Sequence, residues 1–116
     1  MLRNIISSSL DAIVTIDENG KLIAWNPSAE TIFGYTAEEA YGKQLTDLII
    51  PPSLRDAHKK GFARFMSTKE AIIVNKGRLE LPAIKKDGTE ILVELTITSV
   101  IIEGKYFFNG FLRKLK

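Results

Sequence analysis

The sequence predicts an α+β domain: a five-stranded antiparallel sheet with short helices over one face. Three observations carry that prediction. Two short apolar runs, Ala12 to Asp17 and Lys21 to Trp25, flank an Asn19-Gly20 turn, a strong hairpin signal. Three long β-patterned segments close the chain, separated by Asp87-Gly88 and Glu103-Gly104. The helical signals of the chain's body all fall between the second and third strands. Helices gathered at one point of an antiparallel sheet cover its apolar face instead of alternating with strands.

The elements follow in order. Leu2, Ile5, Ile6 and Leu10 recur at helical spacing, so residues 1–10 are expected to form a flanking amphipathic helix and residues 11–116 the domain itself. A helix that short is marginal in water and must pack on its own domain or on a second copy. After the hairpin, Asn26 caps a helix over Ser28 to Phe33, with Pro27 at the first helical position, where its missing N–H is not needed. Thr36 and Glu39 form a capping box for Ala37 to Tyr41. A third short helix covers Leu45 to Ile49. Pro51-Pro52 stops the chain, and Ser53 is expected to cap a longer helix running to Met66. The long strands are Ile72 to Lys85, with Pro82 requiring an edge or a bulge, then Glu90 to Ile102, then Lys105 to Leu115. In the second of these, Ile91, Val93, Leu95, Ile97 and Ser99 share an apolar face, while Leu92, Glu94, Thr96 and Thr98 share a mixed one.

Composition narrows the function. A chain of 116 residues suits one domain and can bury roughly two-thirds of its unfolded surface. The absence of cysteine excludes disulfides, thiolate metal sites and a cysteinyl nucleophile. The net charge of +2, with both signs interspersed, argues against nucleic acid as the main partner. Arg113, Lys114 and Lys116 read as a solvated end. No apolar run approaches the ~20 residues of a membrane span, and a serine cluster interrupts residues 1–10 where a signal peptide would be apolar. The expectation is a cytoplasmic domain that does not insert into membranes.

The order of motifs resembles the PAS sensor family over most of the chain, Leu10 to Arg113. The resemblance rests on the Asp17-to-Asn26 opening (DENGKLIAWN), the Asn26-to-Lys43 helices, the Lys85-to-Ile97 hairpin (KKDGTEILVELTI) and the last strand, Tyr106 to Arg113 (YFFNGFLR). It implies a curved sheet of strand order 2-1-5-4-3 cupping a ligand cavity against the helices. It also implies a sensory, signal-transducing role of bacterial two-component type, with an effector such as a histidine kinase or cyclase elsewhere in a larger protein. Many members end in an Asp-Ile-Thr-like step toward that effector. Here the chain reads Arg113-Lys114-Leu115-Lys116, and the expectation is a piece of a larger sensor. A homodimer through the N-terminal helix is the usual arrangement of such relatives.

One residue has chemistry to argue about. His58 is the single histidine. The 100° step puts it at the centre of an apolar helix stripe with Leu54, Gly61, Phe62 and Phe65, Ala57 at the edge, while Arg55, Asp56, Lys59, Lys60 and Arg64 fall outside it. The haem-binding PAS oxygen sensors are similar here: a histidine on this helix ligates the iron, and an arginine about twenty residues later meets the propionates or the gas. The resemblance therefore implies a cofactor site of His58, Phe62, Ile73, Arg78, Leu95 and Ile97, with His58 as metal ligand. The residues alone leave the cofactor unknown: haem, or a structural histidine beside an empty pocket. Trp25, Phe33, Tyr35, Phe62 and Phe65 read as core before they read as flavin walls. Glu30, Glu38 and Glu39 sit on solvated helix faces with no matching acid–base partner, so no enzyme is expected. The alternative to a sensor is a ligand-free module that only dimerises. A large cavity beside His58, Ile73, Leu95 and Ile97 separates the two readings.

Overall fold

The computed structural model describes residues 11–68 and 79–115, and of residues 65–68 the backbone alone. The expected helix over residues 1–10, the start of the third strand with Ile73 and Arg78, and the Phe65 side chain lie outside the described residues. The elements are β1 (Ala12–Ile16), β2 (Leu22–Trp25), α1 (Pro27–Phe33), α2 (Ala37–Ala40), α3 (Leu45–Ile49), a 3-10 turn (Pro52–Leu54), α4 (Arg55–Thr68), β3 (Leu79–Ile84), β4 (Glu90–Ile102) and β5 (Lys105–Lys114). The five strands form one antiparallel sheet of order β2-β1-β5-β4-β3, as expected.

Turn chemistry sets the registers. At the β4–β5 turn, Glu103 and Gly104 both take positive φ, 51° and 80°, the pattern of a two-residue hairpin whose twist matches its strands. The β1–β2 connection is looser than a two-residue turn. The Asp17 carboxylate accepts from the N–H groups of Asn19 and Lys21, at 2.9 and 3.0 Å, and Gly20 alone takes positive φ. The pairing register also shifts, between Thr15 and Ile16. Pro82 pairs with Leu92 on β3, the edge strand, where a missing donor is tolerated.

The sheet has two faces. Ala12, Val14 and Ile16 of β1, Val93 of β4, and Phe108 and Leu112 of β5 are buried on the inner one. Across the outer face, the Thr15 hydroxyl donates to Asn109 Oδ1 at 2.8 Å. Phe107 and Phe111 pair with Val100 and Thr96 on β4, an odd number of residues from the buried Phe108, so they lie on the outer face and make it more apolar than β4 alone suggests.

Side-chain caps hold the short helices. Asn26 Oδ1 accepts from Ala29 N–H at 2.9 Å and from Ile13 N–H at 3.0 Å, and its amide donates to the Asp11 carbonyl at 3.1 Å. One residue thereby starts α1 and ties it to β1. The Thr36–Glu39 capping box is formed. Phe33, fully buried, packs on Trp25 with ring centroids 5.6 Å apart, and the Trp25 indole donates to the Tyr35 carbonyl at 3.0 Å.

The start of the long helix departs from expectation. Ser53 does not cap it; Pro51-Pro52 leads through one 3-10 turn, and α4 begins at Arg55. The Arg55 guanidinium reaches back to the Ile50 carbonyl at 2.9 Å. The tighter winding of that turn rotates Leu54 off the inward stripe, and it is 38% exposed instead of buried.

Candidate functional site

A cavity of about 310 Å³ lies between the inner face of the sheet and the α3–α4 side. Its floor is apolar and comes from β1, β3, β4 and β5, with Leu95 and Ile97 of β4 among the contributors. Its roof comes from Leu45, Ile49 and Ile50 and from one side of α4: Ala57, His58, Gly61 and Phe62. Among the described lining residues, His58 supplies the single polar side chain. Phe62 is part of this lining, its ring edge-on to Phe108 with centroids 5.3 Å apart.

The imidazole is half-buried. Burial pushes His58 below the ordinary histidine value of 6.5, so it is neutral at pH 7 and has a lone pair to offer. Its Nδ1 is inaccessible and finds no hydrogen-bond partner among the described residues. Charge stays outside: Asp56, Lys59, Lys60 and Arg64 are exposed on the rest of α4.

Two glycines give the cavity part of its room. A Cβ on Gly61 would meet no atom within 4 Å. A Cβ on Gly110 would come 3.3 Å from Val14 Cγ2 and 3.6 Å from Leu95 Cδ1. Neither residue adopts a positive φ, so space and not backbone conformation is what each provides.

Of the site residues expected from sequence, His58, Phe62, Leu95 and Ile97 meet around this cavity. Ile73 and Arg78 lie outside the described residues. Gly110, Val14, Ile49 and the Leu81–Ala83 stretch were not anticipated. A glycine inside an otherwise regular strand was the available signal for the first of these. Trp25, Phe33 and Tyr35 pack among themselves away from the cavity, so of the described aromatics considered as flavin walls only Phe62 borders it.

The carboxylates cap helices. Glu30 accepts from Ala37 N–H at 2.7 Å. Glu39 completes its capping box and accepts from Lys86 Nζ at 2.6 Å; those bonds, Lys86 first, hold its carboxyl below the ordinary 4.5. No cluster of three or more potential metal-ligating side chains occurs among the described residues. No helix among them is long and apolar enough to cross a membrane.

The family model described as the PAS fold matches residues 1–114. The chain is 30% identical over 114 residues to the Sensor protein FixL of Bradyrhizobium diazoefficiens, covering 98% of this chain and 22% of that protein. It is 32% identical over 108 residues to the Oxygen sensor protein DosP of Escherichia coli, covering 93% of this chain and 13% of that protein. It therefore spans less than a quarter of the length of these relatives. Among solved structures, the PAS domain of a protein from Colwellia psychrerythraea superposes with a TM-score of 0.78 at 23% identity, covering 98% of this chain and 93% of that one.

Proposed function

The chain belongs to the PAS family, and from that premise we propose that it is the sensory input module of a larger signalling protein. A largely apolar ligand occupies the cavity between sheet and α4, and its state is relayed to an effector domain such as a histidine kinase or cyclase. The cavity itself carries this reading: about 310 Å³ of apolar space with one imidazole in its wall is a binding site, whereas a dimerisation scaffold would have a filled core. Relay requires that the ligand favour one packing of sheet and helices over another, since tight binding alone shifts nothing.

Haem is the cofactor that these residues fit. The donor set is one neutral imidazole amid hydrocarbon walls, which would suit a largely apolar metal-bearing group that needs only one protein ligand. When bound, haem supplies an iron centre able to take a diatomic gas. In this reading His58 would hold the group through its imidazole. Leu95 and Ile97 would exclude water from the apolar wall, and the open space over Gly61 would leave room for a bulky group. The relatives named as a sensor and an oxygen sensor support it. The partner is a second copy of the chain, joined through the apolar N-terminal segment. Exposed Val100, Ile101 and Ile102 provide further surface of that kind.

The absorbance and mass spectra of natively purified protein, expressed with haem supplementation, test this directly. The expected result is a strong Soret band that shifts or disappears in His58→Ala. Colourless protein overturns haem. An intact mass showing a bound lipid would keep the sensory cavity and replace its ligand.

A further inference from the structure

A second, much smaller cavity of about 30 Å³ shares the walls Ile16, Leu45, His58 and Phe62 with the first. Thr46 borders it and is only 4% exposed. Two inaccessible side-chain atoms lack a hydrogen-bond partner among the described residues: Thr46 Oγ1 and His58 Nδ1. Both residues line this one small space. Of its other polar neighbours, the Gln44 amide donates to the Asn19 carbonyl at 2.8 Å, and Lys59 is exposed to solvent. Buried polar groups are seldom left unpaired, and a space of this size has room for one water with two partners.

We propose that the small cavity holds a single buried water bridging Thr46 Oγ1 and His58 Nδ1, and that Thr46 is thereby the positioning residue for the imidazole. A neutral imidazole has one N–H and one lone pair. With Nδ1–H donating to the water, the proton is fixed there and Nε2 carries the lone pair. The Thr46 hydroxyl donates or accepts at the same water, by rotation, and so holds it in place. The consequence is a histidine oriented and set in the right tautomer before any ligand arrives, the arrangement that strengthens a histidine as a ligand. The choice of Nδ1 as donor rests on the reading that Nε2 meets the ligand. The water bridge does not.

The test uses the ligand-free chain, so its outcome is separable from that of the haem experiment. Long-range ¹H–¹⁵N NMR of the His58 ring at neutral pH reports which nitrogen is protonated, and ROE cross-peaks report the buried water. The wild type should show the Nδ1–H form and a water cross-peak to His58. Thr46→Val, which keeps shape and loses the hydroxyl, should lose the cross-peak and move the ring toward the Nε2–H form that free histidine favours. Thr46→Ser should restore both. A wild type with no water cross-peak to His58, or a cross-peak and ring unchanged in Thr46→Val, overturns the water bridge; a predominantly Nε2–H wild type that keeps the cross-peak overturns the Nδ1–H assignment and makes Nδ1 the acceptor from that water. If Thr46→Val does not fold, the wild-type tautomer and water cross-peak alone decide it.

Discussion

At the scale of the residue, a buried neutral imidazole makes stability depend on pH. His58 titrates below the ordinary value of 6.5 in the folded chain because charging it there means losing hydration. In the unfolded chain it titrates normally. Between the two values the unfolded state binds more protons, so stability rises with pH in that window. The contribution is complete above pH 6.5 and is lost as pH falls through the lowered folded value. Urea midpoints measured between pH 7.5 and 5.5 should fall for the wild type, and His58→Gln should flatten that slope. An equal slope in both proteins would show that His58 is not the titrating group. The single histidine was legible in the sequence because an ionisable residue at the centre of an apolar stripe stands out. Thr46 was not, because nothing in a threonine near a helix start says whether its hydroxyl meets water or the interior. Leu54 was misread because helical periodicity assumes α-geometry, and the Pro51-Pro52 step imposes a 3-10 turn just where the stripe begins.

At the scale of the element, local chemistry was legible wherever a side chain acts on its own backbone. Asn26, the Thr36–Glu39 box and Glu103-Gly104 do in the structure what their spacing implies. The β1–β2 loop was less so, since Asp17 competes with Asn19-Gly20 for control of the turn. Asn26 does the most. Asn26→Ala removes a helix cap, a bond to the β1 backbone and a donor to Asp11, and should cost about 2 kcal/mol in denaturant unfolding. Asn26→Asp keeps both acceptor bonds and should cost less. The two cavity glycines should respond in opposite ways. Gly61→Ala adds a methyl group to open space on a helix and should stabilise the empty domain by roughly 0.5–1 kcal/mol. Gly110→Val presses on Val14 and Leu95, and should destabilise the domain and weaken ligand uptake together. Paired thermal melts and ligand titrations of the two variants would check the contrast. A Gly61→Ala protein less stable than wild type would mean that the helix has less freedom there than the geometry indicates.

At the scale of the whole molecule, the fold could be read from the residues themselves, whereas the cavity was implied only by the family likeness. Alternation in β4, the turn pairs and the clustered helices were enough for a five-stranded antiparallel sheet, and the family likeness supplied its strand order. The cavity is instead what remains when helices and sheet fail to meet, a difference between two packed surfaces that no single stretch encodes. Its position matters for signalling. Val14, Ile97 and Gly110 form its floor at the middle of the sheet, and their neighbours in the strands, among them Thr15, Thr98 and Asn109, point to the other face. A ligand that moves the floor therefore changes the surface on the far side, and a second copy or a flanking segment docked there would feel it. The predicted amphipathic stretch Leu2 to Leu10 is the natural partner for such a surface, because its apolar residues are too few to fold alone. Sedimentation of the full chain should show a concentration-dependent dimer, and removal of residues 1–10 should shift it toward monomer while leaving the domain folded. Ligand binding should change the dimer constant of the full chain and not the behaviour of the truncated one. A full chain that remains monomeric at every concentration would exclude this route from cavity to output, and a truncated chain that dimerises equally well would move the contact to the exposed end of β4 around Val100 and Ile102.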